Sequence, residues 1–105
     1  MDKTFSERVV EAALSIPTGR VATYGDIARV CGGTGQAARS ISGILGRAYK
    51  RGITNIPWHR IVYSGGKIWT DNEHHSTRMK LYKQEGIEVN QKGYIKNFES
   101  IRYDF

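Results

Sequence analysis

The chain has 105 residues, a formal net charge of +6, 39% hydrophobic residues and one cysteine, Cys31. That length makes one domain, residues 1–105, with one modest core; no apolar run approaches the roughly 20 residues of a membrane span, no secretory leader is visible, and a lone cysteine excludes an internal disulfide and fits a reducing compartment. Charge is unevenly placed, with eight Lys and Arg between Arg20 and Lys67 against the single acid Asp26, which points to a polyanion-binding surface and so to nucleic acid.

Thr4-Phe5-Ser6-Glu7 reads as a capping box, Thr4 capping and Glu7 reaching back. Phe5, Val9, Ala12, Ala13 and Ile16 then recur at helical spacing, so residues 5–16 form a first helix buried on that stripe. Pro17-Thr18-Gly19 ends it, and Val21-Ala22-Thr23 is a short extended link. Thr23 caps a second helix with Asp26 in its first turn, where the helix dipole favours an acid. Tyr24, Ile27, Ala28 and Cys31 fall on one face of it. Cys31 is therefore a small core hydrophobe rather than a reactive thiol.

Gly32-Gly33-Thr34-Gly35 makes a tight turn, and a third helix runs from about Gln36 to Tyr49 with Ala38, Ile41, Leu45 and Ala48 inward. Its other face carries Gln36, Arg39, Ser40, Gly43, Gly46, Arg47 and Lys50. A glycine inside a helix costs up to ~1 kcal/mol relative to alanine, so glycines here fit a surface that another backbone must approach closely. Two short helices around a glycine turn, the second small-faced and basic, form a helix-turn-helix pattern.

Residues 51–56 form a loop. Ile56-Pro57-Trp58-His59-Arg60-Ile61-Val62 places a proline, an indole, an imidazole and a guanidinium side by side before an aliphatic pair. Alternation on an extended segment sends Trp58 and His59 opposite ways unless the backbone bends. Two readings stay open here: a rigid, bent site floor, or a core tryptophan beside a histidine bonded to backbone. Arg60 to Tyr63 and Lys67 to Thr70 flank Ser64-Gly65-Gly66 and predict a β-hairpin, the wing of a winged helix. Residues 71–75 are a polar loop; Ser76 starts a last helix to about Glu85, with Met79 and Tyr82 inward and Gly86 as its stop. Ile87 to Val89 is extended, and the aromatics of the tail beyond Asn90 suggest that it packs. The fold class is thus mainly α with a small β-hairpin. His59, His74 and His75 lack the spacing and the companion ligands of a metal site, and no cofactor motif is present.

Pro57-Trp58-His59-Arg60-Ile61-Val62 resembles the active-site signature of O6-alkylguanine-DNA alkyltransferases, with Trp58 where that family carries its alkyl-accepting cysteine. That change marks the alkyltransferase-like proteins. Thr23-Tyr24-Gly25-Asp26-Ile27-Ala28 and Gln36-Ala37-Ala38-Arg39 are similar to two DNA-binding elements of the same family, and the resemblance runs from about Ile16 to Val89. It implies a winged helix-turn-helix of the alkyltransferase C-terminal type. It also implies that Tyr24 pushes on the phosphate 3′ of the target nucleotide, and that Arg39 enters through the minor groove and stacks in the vacated space. Gln36, Ser40, Gly43 and Arg47 would share that DNA-binding face. The extruded base would lie against Trp58, His59, Arg60 and Ile61, with the hairpin and the Asp71-Asn72 loop closing the other side and Glu85 orienting His59.

An indole N–H is essentially non-acidic at neutral pH and only donates, so Trp58 cannot accept an alkyl group. The resemblance therefore implies a non-enzymatic sensor of O6-alkylguanine in double-stranded DNA. It would be a monomer without cofactor or metal that hands its sites to nucleotide excision repair proteins, in the cytoplasm of a bacterium or the nucleus of a eukaryote. The residues leave alternatives open: Tyr24 as a core tyrosine, Arg39 as an ordinary phosphate contact. The whole could also be a sequence-reading winged-helix regulator, or a transferase using Cys31.

Overall fold

The computed structural model describes residues 3–34 and 37–105. Helix α1 spans Phe5–Ser15 and begins with the expected capping box, Thr4 Oγ1 accepting the Glu7 N–H at 3.1 Å. Strand β1, Ala22–Thr23, leads directly into α2, Tyr24–Val30. A second capping box starts α2: Thr23 Oγ1 accepts from Asp26 N–H at 2.9 Å, and Asp26 accepts from Thr23 N–H at 3.1 Å. Helix α3 is Ala38–Lys50, so it begins two residues after the expected Gln36, which lies outside the described residues.

The inward stripes are those the spacing predicts, widened by Val10 on α1 and Ile44 on α3. α1, α2 and α3 pack on one another around Val9, Ala13, Ile27, Ile41 and Leu45, all fully buried. Cys31 is buried in that same cluster. Burial pushes its thiol pKa up, the opposite of what a nucleophile needs.

The hairpin is where the structure departs from expectation. Only its turn survives: Ser64–Gly66 is a 3₁₀ turn closed by one antiparallel bridge, Tyr63 to Lys67. The first arm, β2 (Ile61–Val62), pairs instead with β1 in parallel, Ala22 opposite Ile61 and Thr23 opposite Val62. Both β2 residues are buried, Ile61 in the helical cluster and Val62 in a second cluster with Val21, Ile68, Tyr82, Ile87, Ile95 and Phe98. An alternating strand would have left one of them in water; a strand apolar on both faces belongs between two cores. The second arm runs into the tail, with Ile68 N–H donating to Gly93 O at 2.9 Å.

Helix α4 spans His75–Gln84. Ser76 is therefore inside the helix rather than its cap; the start is held by Asp71, whose carboxylate accepts from His74 N–H at 2.7 Å. Gly86 ends it at φ +73°. The tail packs, as its aromatics suggested: α5 (Phe98–Ile101) covers the second cluster, and Val21 exchanges backbone hydrogen bonds with Ile101 and Tyr103 at 3.0 and 2.7 Å. Arg102 then forks onto the Asp26 carboxylate with bonds of 2.9 and 2.6 Å, tying the tail to the start of α2. Burial alone would raise the Asp26 pKa, but Arg102 and the Thr23 cap outweigh it and hold it below its ordinary value. No helix is long and apolar enough to cross a membrane among the described residues.

Candidate nucleic-acid interface

Pro57 makes the bend that Trp58 and His59 required. Its φ of −82° and ψ of 71° form an inverse γ-turn, with Trp58 N–H donating to Ile56 O at 2.9 Å, and a 3₁₀ turn follows over Trp58–Arg60. The turn sends neighbouring side chains to different tasks. Trp58 packs on the helical cluster and shows its remaining surface to a cavity of about 590 Å³. His59 and Arg60 turn away to Glu85, the residue that caps α4.

That cavity is walled by Tyr24, Ser42, Tyr49, Trp58, Tyr63, Trp69, His74 and Arg78, five of them Tyr or Trp. Tyr24 and Tyr63 lie with ring centroids 5.5 Å apart, and burial followed by the neighbouring Tyr63 raises the Tyr24 pKa above its ordinary value. Trp69 is flanked by His74 at 5.9 Å between ring centroids and by the Arg78 guanidinium at 5.2 Å. Flat apolar walls of this kind accept a planar aromatic ligand by stacking. On the other side of Tyr24 a second cavity, about 720 Å³, is lined among others by Thr23, Arg29, Arg39, Ser42, Ser64 and Arg102. The two cavities share Tyr24, Ser42 and Tyr63, so one phenol borders both a guanidinium-rich hollow and an aromatic one.

Of the residues expected to contact DNA, Arg39, Ser40, Gly43 and Arg47 are all exposed along α3, and Tyr24 borders its near end. Ser40 Oγ donates back to Ala37 O at 2.8 Å, which leaves its side chain flat against the helix. Gly43 has room: an added Cβ would meet only the end of the Arg47 side chain, at 3.5 Å. At Gly46 an added Cβ meets nothing within 4 Å. No internal contact demands glycine at either place.

Of the expected base pocket, Tyr24 and Trp58 line the aromatic cavity, and the other five do not. Ile61 is buried in the core as part of β2. Asn72 is exposed in the turn before α4. His59, Arg60 and Glu85 form an ion cluster behind the cavity. Glu85 takes bonds from Arg60 Nε at 3.0 Å and Nη2 at 2.9 Å, from Gly19 N–H at 2.9 Å, and from the His59 ring. Arg60 also donates to Ile16 O and Thr18 Oγ1, both at 3.0 Å, clamping the end of α1. Burial alone would raise the Glu85 carboxyl; Arg60, Gly19 and His59 outweigh it and take its pKa down to about 2. His59 and Glu85 thus do meet, as the signature implies, but beside an indole.

Ser42, Tyr49, Tyr63, Trp69, His74 and Arg78 were not singled out from the sequence. Tyr63 and Trp69 flank the glycine turn, and Arg78 follows His74 by one helical turn, yet neither spacing says that they face Trp58. Among the described residues no cluster of three or more His, Cys, Asp or Glu could hold a metal.

Comparison with known proteins finds one description that fits most of the chain, "6-O-methylguanine DNA methyltransferase, DNA binding domain", over residues 4–87. The chain is 35% identical over 94 residues to a DNA base-flipping protein of Escherichia coli, spanning 90% of this chain and 70% of that one. It is 36% identical over 91 residues to alkyltransferase-like protein 1 of Schizosaccharomyces pombe, spanning 83% of this chain and 80% of that one. The crystal structure of the S. pombe protein in complex with damaged DNA containing O6-carboxymethylguanine superposes with a TM-score of 0.73 at 28% identity, over 96% of this chain and 95% of that one. The O6-methylguanine methyltransferase of Mycobacterium tuberculosis superposes with a TM-score of 0.59 at 28% identity, over 81% of this chain and 50% of the larger protein.

Proposed function

The chain belongs to the family of the 6-O-methylguanine DNA methyltransferase DNA-binding domain, and from that premise we propose that it is a non-enzymatic sensor of O6-alkylguanine in duplex DNA. One observation carries the reading. The cavity beside the basic helix offers aromatic walls to a flipped base and includes Trp58, which the likeness of its motif to the alkyltransferase signature puts at the position of the acceptor thiol, while Cys31 is buried elsewhere in the core. A base held there meets no thiol, so the alkyl group stays on the guanine. The His59–Glu85 pair beside Trp58 has no thiol to activate, and acts to fix the turn that presents the indole.

The DNA side follows from α3. Its exposed face of Arg39, Ser40, Gly43 and Arg47 is small and cationic, which suits close approach along a minor groove. Arg39 borders the hollow beside Tyr24 and is the candidate to fill the space a rotated nucleotide leaves, since a guanidinium is planar and stacks on bases. Tyr24 stands at the boundary between that hollow and the aromatic cavity, where a phenol can push on the phosphate and face the base. Extrusion costs a few kcal/mol and is cheapest for a modified or mispaired base, which gives part of the selectivity. The protein acts as a monomer, and the bent DNA it holds marks the site for nucleotide excision repair.

The test is a pair of duplexes identical but for one O6-methylguanine. The sensor reading expects tighter binding to the modified duplex, no mass gain on the protein after prolonged incubation, and full recovery of O6-methylguanine from the digested DNA. Equal affinity for the two duplexes, or a methyl group found on the protein, overturns it.

A further inference from the structure

We propose that Arg78 reads the substituent on the flipped base, and that this chain favours O6 groups ending in a carboxylate over neutral groups of the same size. The inference rests on the sensor reading above and names the lesion class for its cavity. Apart from the imidazole of His74, Arg78 is the cationic side chain in the wall of the aromatic cavity. Three other guanidiniums near the site have carboxylate partners: Arg60 on Glu85, Arg29 on Asp26, and Arg102 on Asp26 and Glu99. Arg78 has no carboxylate within ion-pair distance among the described residues. Neither acid in the turn before α4 pairs with it: Asp71 is engaged by the backbone and ring of His74, at 2.7 and 2.8 Å, and Glu73, five residues before Arg78, makes no ion pair among the described residues.

The way Arg78 is held keeps it available. Its guanidinium lies over the Trp69 ring at 5.2 Å, so the π-face is used for stacking while the in-plane N–H donors remain. It lies close enough to Tyr24 and Tyr82 to lower the pKa of both phenols against the larger effect of burial, which leaves Tyr82 pushed up to about 12. It does not reach hydrogen-bonding geometry with Tyr82, whose hydroxyl is buried without a partner. A half-buried, preoriented fork without a counter-charge matches a carboxylate with two parallel hydrogen bonds, and the aromatic surroundings weaken screening by water. The exposed arginines of α3, Arg39 and Arg47, lie outside the aromatic cavity, whereas Arg78 is part of its wall, beside the space where the substituent must go.

Four duplexes of one sequence decide the matter: O6-carboxymethylguanine, its neutral amide O6-carbamoylmethylguanine, O6-methylguanine, and guanine. Affinities are read by fluorescence anisotropy for the unaltered protein, Arg78→Gln and Arg78→Lys, with thermal melts confirming that each is folded. The unaltered protein should bind the acid roughly tenfold or more tighter than the amide. Arg78→Gln should abolish that difference while keeping the preference for every lesion over guanine, and Arg78→Lys should retain part of it. Equal affinity of the unaltered protein for acid and amide overturns the inference and leaves the sensor reading intact. So does an Arg78→Gln protein weakened equally on all four duplexes, the mark of a phosphate contact. Equal affinity for all four duplexes by the unaltered protein overturns both.

Discussion

A single carboxylate, Glu85, joins three separate segments: the end of α4 that it caps, the turn carrying His59 and Arg60, and Gly19 beyond α1. Its pKa falls from 4.5 to about 2 on folding. A depressed carboxyl contributes stability that is fully present above its unfolded pKa and is lost as pH falls through the folded one. The melting temperature should therefore hold steady above about pH 5 and fall through the window from 4.5 to about 2. Glu85→Gln should cost about 3 kcal/mol at neutral pH, because it strands the mostly buried Arg60. The gap between variant and parent should close through the same acid window, and thermal melts across pH read both effects. A gap that stays constant down to pH 2 would contradict the assignment. Arg39 is the opposite kind of residue, exposed and off the buried stripe. Arg39→Ala should leave the unfolding free energy within about 0.5 kcal/mol of the parent while abolishing the preference for O6-methylguanine in a gel shift.

The elements differ in how much of their origin is local. The starts of α1 and α2 were readable because each capping box lies within four consecutive residues and needs no partner elsewhere. The β1–β2 pairing was not, because it is a choice among distant segments: Ile61 and Val62 fit a hairpin equally well until two cores claim one residue each. Tyr24 and Trp58 were legible as candidate site residues from their motifs, whereas Tyr49, Trp69 and Arg78 reach the same cavity from three segments whose packing no spacing encodes. Gly66 shows the same limit. In sequence it is a turn residue; in the structure its φ is +90° and an added Cβ would lie 2.9 Å from the Phe98 ring of the tail. Gly66→Ala should therefore cost about 2 kcal/mol in a denaturant melt. The glycines of α3 predict the reverse. Gly43→Ala meets nothing rigid, so it should raise stability by up to ~1 kcal/mol. On the proposed reading the same methyl group would face the approaching DNA backbone and should weaken duplex binding. A variant that is both more stable and binds as well as the parent would remove the close-approach role of this face.

For the molecule as a whole, charge and shape divide affinity from discrimination. The excess of positive charge lies between Arg20 and Lys67, and on α3 its carriers Arg39, Arg47 and Lys50 are exposed. Such groups release condensed counterions from DNA, and log K falls by about 0.9 per log unit of salt for each phosphate neutralised. If the α3 face and its neighbours cover about four phosphates, affinity should drop by roughly 3.6 log units per tenfold rise in salt. That term is shared by damaged and undamaged duplexes, because both present the same backbone. On the proposed reading, discrimination arises in the aromatic cavity, away from the phosphates, and depends on stacking and short-range contacts that salt barely screens. The expected outcome is two parallel lines: binding to each duplex falls steeply with salt, while the ratio of their affinities stays nearly constant. Titrations of both duplexes at several salt concentrations measure slope and ratio together. A shallow slope would sink the central basic surface as the DNA-binding face. A ratio that collapses with salt would mean that the lesion is sensed through the backbone it distorts rather than through a base held against Trp58.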